Sequence, residues 1–372
     1  LKKWMLSISV VALFLSGCVQ QKSSSEEEVV QEDASSQEET SIVPSNRLSG
    51  ENYRMILPYQ PSEARGVITN QVANRVDIDE MEEGLRRLSM DSYSPEDYYF
   101  QEGQYFDSNR VYNWIDELNP EVSLGSDEET FRENPRYLSH VLEQNYLTQT
   151  EDGNVNLEGI SIGLAMKSVY QFQTDTGEPY QYEDISESAM MEQATEIAQD
   201  IVNDIRENDE ELSDVPIMIG IYREEEQASP VPGNFVAKTN VDGGSSSIDG
   251  WEDVEEENIL FPSDEGQEKY YDDQELVTSF GNEIRDFFPN YVGMVGEGFY
   301  IDEELQKLRI DVPIEFYGKG EVIGFTQYVY GLIEDMFPNY YDIEVNITSS
   351  QKTESLLYRN AGEDEIQVHI YD

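Results

Sequence analysis

Leu15-Ser16-Gly17-Cys18 is the short run whose residue types and spacing specify a reaction. An aliphatic residue, two small residues and a cysteine form a bacterial lipobox. The thiolate is the nucleophile that takes a diacylglyceryl group, and the small side chains of Ser16 and Gly17 let an intramembrane peptidase reach the bond before Cys18. Cys18 is the single cysteine of the chain, so no intramolecular disulfide can claim it.

The residues before the lipobox have the layout such processing requires. Lys2 and Lys3 supply a positive start, and Met5 to Leu15 is an almost unbroken apolar run. That run falls short of the ~20 apolar residues of a membrane span. Residues 1–17 therefore read as a lipoprotein signal peptide, cut by signal peptidase II between Gly17 and Cys18. The mature chain is expected on the extracytoplasmic face of the cell membrane, held by two or three acyl chains, palmitate among them, on Cys18.

No other constellation has comparable specificity. His140 and His369 are the two histidines, and neither has a second histidine or a cysteine nearby to suggest a transition-metal site. Gly243-Gly244-Ser245-Ser246-Ser247, between Asp242 and Asp249, is no nucleophile elbow and reads as a flexible loop. Asn240, Asp242, Asp249 and Asp253 could approach calcium but lack EF-hand spacing. Gly318-Lys319-Gly320-Glu321-Val322-Ile323-Gly324 stands between a strand and a helix, as a dinucleotide fingerprint does. Its last glycine comes one residue late and Glu321 would repel a pyrophosphate, so it reads as a tight turn. Carboxylate pairs are too numerous for any to be singled out. The sequence nominates no catalytic residue, no metal ligand and no cofactor, and the chain is expected not to be an enzyme.

The charge sets the class of partner. With 78 acidic and 23 basic residues the formal net charge is −55, and removing residues 1–17, which hold two lysines and no acid, takes it to −57. Such a chain repels nucleic acid. A halophilic surface, strongly hydrated and screened by salt, is the expected role of these acids.

Polarity and periodicity then divide the chain. Residues 18–45, Ser, Glu and Gln-rich, cannot bury enough surface to fold and are expected to be an acidic disordered tether behind the lipidated cysteine. Residues 46–150 read as a mainly helical segment, with helical spacing over Met81 to Leu88 and a short helix beginning at Tyr137 to Leu142. Residues 151–240 and 291–372 read as two copies of one α+β unit, separated by an acidic connector at 241–290. In the first copy Ile160, Ile162, Leu164 and Met166 alternate as a strand, Met190 to Ile205 stripe a helix, and Ile217, Ile219 and Ile221 alternate again. In the second, Leu308 to Phe316, Val322 to Met336 and Ile343 to Ile347 repeat that order. The fold class is α+β, with duplicated strand-helix-strand units in antiparallel or mixed sheets.

Several stretches also carry a resemblance: Tyr53-Arg54-Met55-Ile56-Leu57-Pro58, Glu63-Ala64-Arg65-Gly66, Tyr137-Leu138-Ser139 with Leu142-Glu143-Gln144, Ile162 to Tyr170, Val312 to Gly318, Thr326 to Val329 and Val368-His369-Ile370-Tyr371. On these the chain resembles, over nearly its whole length, the CamS family of sex-pheromone precursor lipoproteins of Gram-positive bacteria. The resemblance implies a pheromone released from the leader, ending at the residue before the lipidated cysteine. Here that peptide is Val11-Ala12-Leu13-Phe14-Leu15-Ser16-Gly17, trimmed by a second membrane protease and sensed by a receptor on plasmid-bearing cells during conjugation. The implied partners are the membrane, the lipoprotein-processing enzymes and that receptor. The mature body is then a binding or interaction module. A solute-binding lipoprotein and a carboxylate-dependent envelope enzyme are the alternatives.

Overall fold

The computed structural model describes residues 27–31, 39–43, 52–67, 73–75, 77–150, 154–288 and 290–372. The lipobox and the peptide Val11 to Gly17 lie outside the described residues. Of the segment expected as a tether, what is described is two paired strands, β1 (Glu27–Gln31) and β2 (Glu39–Val43).

In chain order the body continues with β3 (Arg54–Met55), α1 (Ile78–Ser89), β4 (Tyr99–Glu102), α2 (Ser108–Glu117), α3 (Glu128–Glu133), β5 (Leu138–Gln149) and β6 (Asn154–Met166). A hairpin of β7 (Val169–Phe172) and β8 (Gln181–Asp184) precedes α4 (Glu187–Asn208), β9 (Ile217–Arg223), β10 (Asn234–Val241) and β11 (Glu252–Asp253). The second half holds β12 (Glu256–Phe261), α5 (Asp264–Lys269), α6 (Tyr271–Phe287), β13 (Val295–Ile301), β14 (Glu304–Pro313), α7 (Lys319–Met336), β15 (Asp342–Thr348), β16 (Thr353–Arg359) and β17 (Gln367–Ile370).

Both strand-helix-strand units form, and in each the two strands are parallel neighbours. Ile160 pairs with Ile217 across β6 and β9, and Leu308 with Ile343 across β14 and β15. The helix between them covers one face, α4 burying Met190, Ala194, Ile197 and Ile201, and α7 burying Val322, Phe325, Val329 and Ile333. The topology common to the halves extends further than this core. From β4 to β11 and from β12 to β17 the strands lie in the same spatial order, with helices α2 and α3 answering α5 and α6. The residues expected as an acidic connector therefore contain β11, β12, α5 and α6. Acids fill the exposed faces of α5 and α6, and the core stripe Val277, Phe280 and Ile284 is thin enough to be lost among them.

Tyr137 to Leu142 does not begin a helix: Leu138–Gln149 is a 12-residue strand pairing with β6 on one side and β4 on the other. β5 is buried on both faces, and the polar residues His140, Glu143, Gln144 and Asn145 buried among its apolar ones leave no period-two alternation to mark a strand. The three helices α1, α2 and α3 of the expected helical segment pack onto the first sheet, on opposite sides.

The placement of α1 positions the site. Its buried face, Met81, Gly84, Leu85 and Leu88, lies on the first sheet, where Gly84, Gly163 and Gly220 leave room for Met81, Leu85 and Phe235. Its charged face turns to the second sheet. That sheet is covered on one side by α6 and α7, while Glu297 and Phe299 of β13 and Lys307 and Arg309 of β14 point to the other.

Candidate functional site

A groove runs between the charged face of α1 and the open face of the second sheet. Two adjoining cavities form it, about 440 and 150 Å³, and share Glu80, Glu297 and Arg309. The larger also meets Arg75, Asp79 and Pro232, and the smaller Glu83, Phe299 and Lys307. Strand alternation explains the sheet wall, since Leu308, Ile310 and Val312 go to the core and Lys307, Arg309 and Asp311 to the other face. Helix periodicity explains the facing wall, because Glu80, Glu83 and Arg87 recur every three or four residues.

Burial holds the Glu80 carboxyl above its ordinary range, against the pull of Arg87 and with Glu83 and Glu297 adding to it. Burial does the same to Glu297, against Arg309 and Arg75. The groove thus holds protonatable carboxyls beside permanent cations.

One end of the groove is latched. Nε and Nη2 of Arg87 meet the two carboxylate oxygens of Glu256, at 3.1 and 3.0 Å, and the guanidinium lies 4.5 Å over the Phe299 ring. Asn258 donates to Asn234 at 2.8 Å, and the Val254 N–H to the Val236 carbonyl at 3.0 Å. These bonds join the two units.

A second, smaller cleft of about 100 Å³ lies over β4 and β5. Glu102 accepts from the Tyr59 hydroxyl, from Arg65 and from the Ser62 N–H at 2.7 Å, and Arg65 also reaches Glu82 at 2.8 Å. Glu143 is buried and accepts the successive N–H groups of Gln104, Tyr105 and Phe106 at 2.8 to 3.2 Å. Gly103 is required there, since a Cβ would stand 2.4 Å from that of Glu143. Burial pushes Glu143 up to about 7 although those N–H groups favour its charged form, and burial likewise raises Glu82 to about 7. The cleft is concave and carboxylate-rich, yet Glu102 and Glu143 are held by the protein's own donors. Its geometry braces residues 52–67 against the sheet.

A buried charged cluster stands at the carboxyl ends of β6 and β9. Lys167 and Glu224 are each 1% exposed, and the Ser139 hydroxyl donates to Glu224. Burial lowers the Lys167 ammonium and raises the Glu224 carboxyl, while their mutual attraction opposes both shifts. Burial also lowers the neighbouring His140 to about 4, leaving it neutral.

The remaining sequence candidates are dispersed. His369 is exposed on β17 against Tyr371, ring centroids 4.6 Å apart. Gly318 precedes α7 in a turn closed by Glu321, whose carboxylate accepts the Tyr317 N–H at 2.6 Å. The Gly243 to Ser247 loop is tied to α4 through Arg206, which donates to the carbonyls of Ser245 and Asp242. Asn240 accepts from Ser92 instead of facing a cation. Among the described residues no group of three or more His, Cys, Asp or Glu is placed to hold a metal. The groove residues escaped sequence reasoning because they are ordinary charges until two sheets are brought face to face; the Lys307, Arg309, Asp311 alternation was the signal available.

The family model described as "CamS sex pheromone cAM373 precursor" matches residues 59–365. The chain belongs to the CamS family. A crystal structure of a sex pheromone precursor from Lactobacillus salivarius subsp. salivarius UCC118 is similar to it, with a TM-score of 0.81 and 26% identity over 88% of this chain and 98% of that one. The C-terminal domain of the staph-cAM373 sex pheromone precursor from Staphylococcus aureus is similar too, with a TM-score of 0.68 and 26% identity over 79% of this chain and 96% of that one. No curated protein matches the chain. CamS is a family of sex pheromone precursors, which points to an extracellular or membrane-associated protein. No helix among the described residues is long and apolar enough to cross a membrane. Of the segments that carried the resemblance, Arg65 and Glu143 line the small cleft, and Ser139 and Lys167 belong to the buried cluster with Glu224.

Proposed function

We propose that this CamS protein is a lipid-anchored pheromone precursor whose folded body is an extracytoplasmic binding module. Signal peptidase II cuts between Gly17 and Cys18, Cys18 carries the lipid, and a second protease frees Val11 to Gly17 as the signalling peptide. The body takes its ligand in the groove between α1 and the second sheet.

The observation that carries the binding role is the position of the largest described cavity: it lies where the two units meet and draws charged groups from both. Sites of small molecules commonly occupy such junctions and span about 300–1,000 Å³. A solute-binding lipoprotein that passes its ligand to a transporter is the second reading, favoured by the same two-unit groove.

Growth with a labelled fatty acid, followed by membrane fractionation of the wild type and Cys18→Ala, tests the anchor. Wild type should carry label and sediment with membranes, while the variant should be unlabelled and released. Membrane retention of an unlabelled variant would contradict the anchor.

A further inference from the structure

We propose that the groove takes a short peptide with free termini, bound as a zwitterion. The inference rests on the binding-module reading and specifies its ligand.

The two walls of the groove differ in sign. The α1 wall is acidic on balance, with Asp79, Glu80 and Glu83 against Arg87, which Glu256 already holds, and the sheet wall is basic on balance, with Lys307 and Arg309 against Glu297. Lys307 and Arg309 are exposed, and the ion-pair contact of Arg309 among the described residues is Asp311 at 3.7 Å. In a chain with 78 acidic and 23 basic residues, the groove sets four cations, Arg75, Arg87, Lys307 and Arg309, against five acids, Asp77, Asp79, Glu80, Glu83 and Glu297, so its lining is close to charge-balanced.

That local balance of opposed charges decides the ligand class. A polyanion would meet Glu80 and Glu297 in the same space, and a simple cation would meet Arg309. A ligand with one charge of each sign satisfies both walls, its carboxylate against Lys307 and Arg309 and its ammonium against Glu80 and Glu83. Phe299, Ile78 and Pro232 supply apolar surface between the charged walls for short side chains. The combined space suits a few residues and not a folded partner.

Methyl and amide NMR of the mature chain, with trialanine, N-acetyl-trialanine amide, inorganic phosphate and chitobiose as probes, tests this. Trialanine should shift signals of Ile78, Phe299 and Arg309, the blocked peptide should not, and Arg309→Gln should weaken trialanine binding about tenfold or more. Equal binding of the blocked peptide would overturn recognition of the termini. Shifts at the groove with phosphate or chitobiose but not with trialanine would overturn the peptide class and leave the binding site standing. No shift at the groove with any probe would overturn both. Arg309→Gln removes an exposed side chain, so its fold is expected to persist, and its far-ultraviolet dichroism should match wild type.

Discussion

Arg87 of α1 grips Glu256 of β12 through Nε and Nη2 while stacking 4.5 Å over Phe299 of β13, so one side chain ties the first unit to two strands of the second. The Glu256 side chain is 2% exposed, and burial raises its carboxyl against the pull of Arg87. Removing one partner of a buried pair costs about 3–5 kcal/mol, because the other charge stays buried. The Arg87 side chain is 31% exposed, so water moderates the loss. Arg87→Ala should lower stability by about 2 kcal/mol in urea unfolding. Arg87→Lys, which keeps the charge and loses the fork, should fall between. Wild-type stability in both would contradict the latch.

The turn between β13 and β14 offers a gain. Ile301 pairs with Glu304, leaving Asp302 and Glu303 as a two-residue loop with φ of 53° and 64°. Two left-handed residues define the hairpin geometry for which Asn-Gly is preferred. A left-handed non-glycine residue costs about 1–2 kcal/mol. The double substitution Asp302→Asn with Glu303→Gly should raise stability by about 1 kcal/mol, read from the denaturant midpoint. A lowered midpoint would mean the loop is held by something other than its backbone.

Glycine substitutions should separate packing from propensity. A Cβ on Gly84 would stand 2.6 Å from the Phe235 ring, while one on Gly324 meets nothing within 4 Å. Both glycines lie inside helices, where alanine is favoured by about 1 kcal/mol. Gly84→Ala should destabilise by about 1–2 kcal/mol through overpacking, and Gly324→Ala should stabilise by up to about 1 kcal/mol. Thermal unfolding of the pair measures the opposed signs.

The sequence made the parallel cores legible because Ile160 to Met166 and Leu308 to Phe316 alternate cleanly, and the stripes of α4 and α7 are long. It hid β5, because His140, Glu143, Gln144 and Asn145 are buried polar residues that break alternation while each sheet face is covered. It hid the extent of the duplication, because α5 and α6 are acidic outside. The lipobox at Cys18 was read from local sequence alone and lies outside the described residues. The groove was not legible, since its walls come from α1 and β14, more than 200 residues apart.

The raised carboxyls give a pH dependence of definite sign. Burial lifts Glu82 and Glu143 to about 7 from an ordinary value of 4.5. In that window the folded state binds more protons than the unfolded one. Their contribution is therefore fully present below about 4.5 and is lost as pH rises through about 7. The melting temperature should fall from about pH 5 to about pH 8, and Glu82→Gln should flatten the fall. An unchanged slope in the variant would show that Glu82 titrates normally.

Mass spectrometry of the culture supernatant, with the mature protein recovered from the same cells, tests the precursor role most directly. The expected result is a peptide ending at Gly17, beginning near Val11, together with a mature chain that starts at an acylated Cys18. Absence of any peptide ending at Gly17, or a mature chain that retains residues before Cys18, would contradict it.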